Sequence, residues 1–196
     1  MMMIAGPLNG ALRRVPPGAV YLAGLLPLAW IVWLGVSGGL GVDPVKEIEH
    51  RLGKIALWLL AGGLAMTPLR RYAGVNLIRW RRAVGLLAFG YVALHLLVWA
   101  VLDMGMLWDQ ALRDVVKRPY LVLGMAGFVL LVPLAITSNN ASVRRLGPNW
   151  RRLHRLVYPA AALAAVHYAW QGKVWLPEAL IWGAVILALL ALRLRR

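Results

Sequence analysis

The stretch RRLHRLVYPAAALAAVHYAW, residues 151–170, holds two of the four histidines of a 196-residue chain. Between them lies a run of alanine, leucine and valine. His154 and His167 are thirteen residues apart, which on a helix is about 19–20 Å along the axis. No single metal ion touches both. They serve two sites at two depths, or one of them is incidental. The apolar part of the stretch, 156–170, is 15 residues long, against the roughly 20 that a membrane span requires. A short span borrows from its flanks by snorkelling or local thinning. That puts His154 at a membrane interface.

The rest of the chain supports a membrane reading. It is 61% apolar, well above a soluble domain of this size. Five further apolar runs, at 18–40, 52–69, 83–102, 119–137 and 177–192, make six in all. The expected fold is an all-α, six-transmembrane-helix bundle forming a single domain over 1–196. Cysteine is absent, which removes disulfides, thiolate metal sites, iron–sulfur clusters and thioether-linked haem. The N-terminal basic segment precedes a run too long for a signal core, so the first helix is expected to be retained.

Charge sets the orientation. The N-terminus, the 70–82 and 138–155 connections and the C-terminal tail hold 15 of the 22 Lys and Arg and none of the seven acids. Asp43, Glu47, Glu49, Asp103, Asp109, Asp114 and Glu178 all fall in the other connections. The positive-inside rule then puts both termini in the cytoplasm. Trp80 and Trp150 are expected at the inner boundary, and Trp99, Trp108, Trp170 and Trp175 at the outer one, as interfacial anchors.

Depth sorts the histidines. The third and fifth runs both go from inside to outside. His95 lies 13 residues after Arg82, and His167 lies 12 after Arg155. The two therefore share a depth in the outer half of the membrane. Two imidazoles at one depth on parallel helices are what bis-histidine haem requires, one neutral ring nitrogen from each side of the iron. Ionisable groups within a span are functional by default, although a structural hydrogen bond is the plainer role. Ala160, Ala161, Ala162, Ala164 and Ala165 would let a macrocycle approach the backbone, or would serve close helix packing. His154 is a candidate ligand for an inner cofactor, but the matching level of the third run carries Arg81 and Arg82. His50 lies on an amphipathic flank that reads as a solvated face. The arginines set topology and meet lipid head groups. Among them Arg79, Arg81, Arg82, Arg151 and Arg152 could also bind phosphate or propionate oxygens.

The segments DPVKEIEHRLGK, MTPLRR, RWRRAVGLLAFGYVALH, KRPYLVLG, LAITSNN and RRLGPNWRRLHRLVYPAAALAAVHYAW resemble the MsrQ (YedZ) family. These are haem-binding membrane subunits of the periplasmic protein-methionine-sulfoxide reductase system, within the ferric-reductase-like transmembrane superfamily. The resemblance runs from about residue 43 to 170. It implies a b-type cytochrome of the bacterial inner membrane with haem b and FMN. Electrons would come from the quinone pool or a cytoplasmic flavin reductase. They would pass to a periplasmic molybdenum-cofactor methionine sulfoxide reductase that repairs oxidised proteins. The superfamily's histidine positions fall on His95, His154 and His167. A fourth histidine common in the superfamily, at the inner end of the third helix, is arginine here.

The short connections leave no room for a nucleotide-binding or molybdenum domain, so the chain is expected to be an electron-transfer subunit without a terminal catalytic site. An alternative is a stand-alone haem reductase of metal ions or oxygen. A transporter would place acids or bases at mid-membrane, and a bare anchor would need no matched histidines.

Overall fold

The computed structural model describes residues 2–172 and 177–194, and every regular element among them is helical. Trp175 and the terminal Arg195 and Arg196 lie outside the described residues. Helix α1 spans Met2–Arg14, a helix that the hydropathy pattern does not announce. It is clipped to the connection around residues 73–80. The Asn9 side chain donates to the Gly74 carbonyl at 2.9 Å and accepts from the Asn76 N–H at 2.9 Å. The Arg79 guanidinium donates to the Arg13 carbonyl, and Trp80 Nε1 donates to the Val15 carbonyl at 3.2 Å.

Helix α2 (Pro17–Val36) starts on proline, whose fixed φ suits the first helical turn and whose missing N–H has no helical partner there. Leu22, Leu26, Trp30 and Trp33 are exposed along it, the pattern of a face turned to lipid. Its other side meets α4 at Gly24. A methyl group there would lie 2.4 Å from Leu87, and the Tyr91 hydroxyl donates to the Gly24 carbonyl at 2.6 Å. Helix α3 (Pro44–Tyr72) is capped by Asp43, which accepts from the Lys46 N–H. That bond holds the Asp43 carboxyl below its ordinary range. Pro68 lies within α3 and offers no N–H to the Leu64 carbonyl. Arg193 fills the gap from the other end of the chain: its guanidinium donates to the Leu64 carbonyl at 2.7 Å and to the Tyr158 hydroxyl at 3.0 Å.

Helix α4 (Arg81–Val98) runs on into a π turn at Trp99–Asp103. Helix α5 (Trp108–Lys117) then folds back, and α6 (Pro119–Ile136) returns across the bundle. Helices α7 (Asn140–Leu146) and α8 (Pro148–Leu153) are separated by Gly147, whose φ of +51° and ψ of −126° suit glycine alone. Helix α8 passes through one 3₁₀ turn, His154–Leu156, into α9 (Val157–Trp170). Pro159 explains that turn: its ring displaces the carbonyl four residues back and tightens the local winding. The short fifth run is thus the C-terminal part of one helical rod beginning at Pro148. Helix α10 (Pro177–Leu194) closes the chain.

Four helical segments are long and apolar enough to cross a membrane: α2, α3, the unit Ile78–Asp103, and α6. Helices α3, α4, α6 and α9 form the centre of the bundle, with α2 against α4 and α10 against α9 and α3. Among the described residues the four ion pairs, Asp43–Lys46, Glu47–Arg51, Lys54–Glu178 and Asp114–Arg118, all lie in the acid-bearing connections or in the first or last few turns of the helices beside them.

One anchor differs from expectation. Trp108 and Trp170 are exposed, but Trp99 is buried with Ala100 and Ala111. The π turn begins at Trp99, and α5 folds over it, so the indole is enclosed instead of facing the membrane surface.

Candidate haem site between α3, α4, α6 and α9

His95, from α4, and His167, from α9, come together. Their ring centres are 6.2 Å apart with planes at 77°. The equal depth inferred by counting is therefore a direct juxtaposition. Two imidazoles sharing one metal ion, each bonded at about 2.0–2.1 Å, have ring centres roughly 6–6.5 Å apart. The observed separation matches that spacing.

The two rings are held in the same way. His95 Nδ1 donates to the Glu49 carbonyl at 2.9 Å, and His167 Nδ1 donates to the Tyr120 carbonyl at 2.7 Å. A carbonyl only accepts, so Nδ1 carries the proton in both rings and Nε2 is left with its lone pair. That tautomer suits a metal ligand, and a hydrogen bond on the far nitrogen also raises ligand basicity. Four residues after each carbonyl stands a glycine. A methyl group at Gly53 would lie 3.2 Å from His95 Nδ1, and one at Gly124 would lie 3.0 Å from His167 Nδ1. Each imidazole thus rests on a bare patch of helix, with its Nδ1–H bonded to the carbonyl one turn earlier. Helix α3 cradles His95 and α6 cradles His167 by one rule.

Both rings line a cavity of about 420 Å³, within the usual range for ligand sites. Its wall is apolar over most of its length, with Leu60, Phe128 and Leu131 among the lining residues. Small residues, Gly127, Ala160 and Ala164, let a flat group approach the backbone. The alanines of α9 are divided between two tasks. Ala160 and Ala164 face the cavity, whereas Ala161 and Ala165 belong to the packing among α3, α9 and α10. Charged and polar residues, including Lys54, Asp103, Arg118 and Tyr168, line the same cavity. An apolar slot with a polar margin and two facing imidazoles fits haem, an apolar disc with a carboxylate edge.

His154 is elsewhere. It does not line this cavity. Its ring stacks on Trp150 with centres 3.8 Å apart. The Thr137 hydroxyl donates its only proton to the Pro133 carbonyl at 2.6 Å, so its contact with His154 Nε2 at 3.1 Å is a bond donated by the ring. Trp150 Nε1 donates to the Thr137 carbonyl at 2.9 Å. Arg81 and Arg82 reach neutral partners, Thr67 at 3.1 Å and Asn140 at 2.8 Å. Among the described residues no group of three or more His, Cys, Asp or Glu side chains forms a metal cluster. His50 lines the cavity but is not part of the imidazole pair.

The sequence profile described as ferric reductase like transmembrane component matches residues 51–165, which include all four cavity-forming helices in whole or part. The chain is also 48% identical over 177 residues to proteins of Brucella ovis, Brucella canis and Brucella suis, covering 90% of this chain and 80% of each relative. Each of those proteins bears the name protein-methionine-sulfoxide reductase heme-binding subunit MsrQ. The chain belongs to the MsrQ family. The family places it among membrane proteins with an electron-transfer role.

Sequence reasoning singled out the two histidines that the fold brings together but not the glycines beneath them. Gly53 and Gly124 are two of 20 glycines, and nothing local distinguishes them. A signal does exist once the pairing is known: each stands four residues after the residue whose carbonyl holds its histidine.

Proposed function

We propose that the chain is the b-type cytochrome subunit of a methionine sulfoxide reductase system. The observation that carries this reading is the matched pair: two imidazoles 6.2 Å apart, each with Nδ1–H committed to a backbone carbonyl. His95 and His167 hold the iron of haem b through Nε2. Haem held by His95 and His167 would supply one-electron redox chemistry there. The chain's contribution is to fix both ligands, exclude water from the apolar slot and set the ring's orientation.

The chain spans the bacterial inner membrane six times with both termini in the cytoplasm. The support is the charge distribution and the side shared by α1, the 73–80 connection and Arg193 at the inner end of α3. It passes electrons outward, from the quinone pool or a cytoplasmic flavin reductase to a periplasmic molybdenum-cofactor catalytic subunit. FMN, implied by the family resemblance, has phosphate-binding groups available in the inner arginines, among them Arg79, Arg81 and Arg82.

A reduced-minus-oxidised spectrum of the purified protein, with haem quantified against protein, tests the reading. The expected result is a low-spin b-type spectrum at one haem per outer pair. A colourless protein from haem-replete cells overturns it and leaves an anchor or assembly subunit. Turnover that reduces metal ions or oxygen as fast without the periplasmic subunit as sulfoxide with it favours the stand-alone reductase.

A further inference from the structure

The Tyr168 hydroxyl is buried and makes no hydrogen bond of ordinary length; its polar neighbours are Lys54 and Glu178, which engage it only weakly. A buried O–H engaged this weakly costs free energy and leaves room for a closer acceptor. Tyr168 follows His167 directly on α9, and Lys54 follows Gly53 directly on α3. Both line the cavity of the imidazole pair, and both also line a smaller neighbouring cavity of about 200 Å³. They therefore stand where the two spaces adjoin. The hydroxyl lies beside the Lys54–Glu178 pair, in which the ammonium meets the carboxylate at 2.8 Å. An ammonium has three protons, so the bond to Glu178 leaves donors for a second acceptor. The group that fits one weakly engaged phenol and one ammonium is an anionic oxygen pair, a carboxylate. The carboxylates on the wall, Glu49 and Asp103, come from α3 and the π turn after α4, away from α10, which supplies Glu178.

We infer that Tyr168 and Lys54 bind a propionate carboxylate of the haem and so fix which edge of the ring faces the outer side. This rests on the haem reading above. The ligands and the propionate donors are then neighbours in sequence on both sides, His167 with Tyr168 and the His95 cradle with Lys54. Lys54 and Tyr168 would hold the haem by one carboxylate edge while His95 and His167 would hold its iron.

The test uses the full chain in detergent or nanodiscs with Tyr168→Phe, Lys54→Met, Lys54→Arg and Glu178→Gln. Haem content and the optical spectrum report the imidazole pair; the midpoint potential, the propionate bending bands in resonance Raman and the rate of haem loss to an apoprotein acceptor report the propionate site. The expected result is an unchanged low-spin spectrum in all four variants. Lys54→Met lowers the potential, because removing a cation favours the more positive ferric form, and speeds haem loss about tenfold. Tyr168→Phe shifts the propionate band with a smaller change in potential. Lys54→Arg restores the potential, and Glu178→Gln raises it. Unchanged potential, band and loss rate in both Lys54→Met and Tyr168→Phe overturn the assignment while leaving the haem reading intact. A wild-type protein without haem overturns both, and that outcome is distinct.

Discussion

The two ends of one helical rod carry a histidine each, and their surroundings are opposite. At the outer end His167 stands on glycine, bonded through Nδ1 to a main-chain carbonyl, and lines a cavity together with His95. At the inner end His154 lies flat on Trp150 and spends Nε2 on a threonine hydroxyl. The outer ring has a lone pair in reserve on the nitrogen aimed away from its helix support. The inner ring has a proton there, already used. The difference does not come from the histidines. It comes from what the neighbouring helix offers: a bare backbone at Gly124 or the side chain of Thr137. The same residue type is left with a lone pair free for a ligand role, or is used as a strut, according to which of its nitrogens the neighbour engages.

The largest effect follows from removing an outer ring. His167→Ala or His95→Ala should lower the haem-to-protein ratio by at least about tenfold, read from the pyridine haemochrome assay. Equal losses from the two variants sharpen the comparison, because the geometry treats the rings alike. Retention of a low-spin spectrum in either variant would break it.

A smaller effect is expected at the cradles. Gly124→Ala puts a methyl group 3.0 Å from His167 Nδ1, and Gly53→Ala puts one 3.2 Å from His95 Nδ1. Each must push its imidazole back by a few tenths of an ångström. Overpacking of this kind costs about 1–3 kcal/mol. Thermal loss of the haem absorbance should come earlier in both variants, and Gly124→Ala should be the worse of the two. The reverse order would mean that α6 yields where α3 does not.

How much of this was legible in the sequence depends on what carried the information. The charge segregation and the apolar runs are long-range statistics, and they yielded the helical bundle and the shared depth of His95 and His167. The cradles were not legible, because a glycine becomes meaningful only when a particular imidazole lands on it. Helix α1 was missed since its interactions, Asn9 to Gly74 and Asn76, are polar contacts across more than 60 residues. Trp99 was misplaced because a π turn shifts the face that a residue presents, and no periodicity at 3.6 residues registers that insertion. For His154 residue counting suggests a depth but not the Trp150 stack, which depends on the break at Gly147 and the 3₁₀ turn set by Pro159.

At the inner end Thr137→Val is the more costly of two changes. It removes the acceptor for the His154 ring proton and leaves that N–H half-buried beside a methyl group. An unsatisfied polar group of this kind costs about 1–3 kcal/mol when fully buried, and the exposure of this site puts the expected loss near about 1 kcal/mol. Unfolding in detergent, followed by tryptophan fluorescence, should report it because Trp150 lies on the ring. The haem spectrum should not change.

The smallest effect, and the one that bears most directly on the comparison, belongs to His154→Phe. Phenylalanine keeps a flat ring to stack on Trp150 and removes both nitrogens. The Thr137 hydroxyl keeps its own bond to the Pro133 carbonyl, so the structural loss is confined to one hydrogen bond, about 0.5–1.5 kcal/mol. The haem-to-protein ratio and the midpoint potential should equal those of the wild type, because neither imidazole of the outer pair touches this ring. A ratio that falls by one haem would show that Nε2 leaves Thr137 for iron, and the inner end would then be a second ligand site held shut by a threonine. His154→Gln separates the remaining possibility. Glutamine keeps a donor for Thr137 but loses the stack, so a fall in stability without a fall in haem assigns the ring to packing alone.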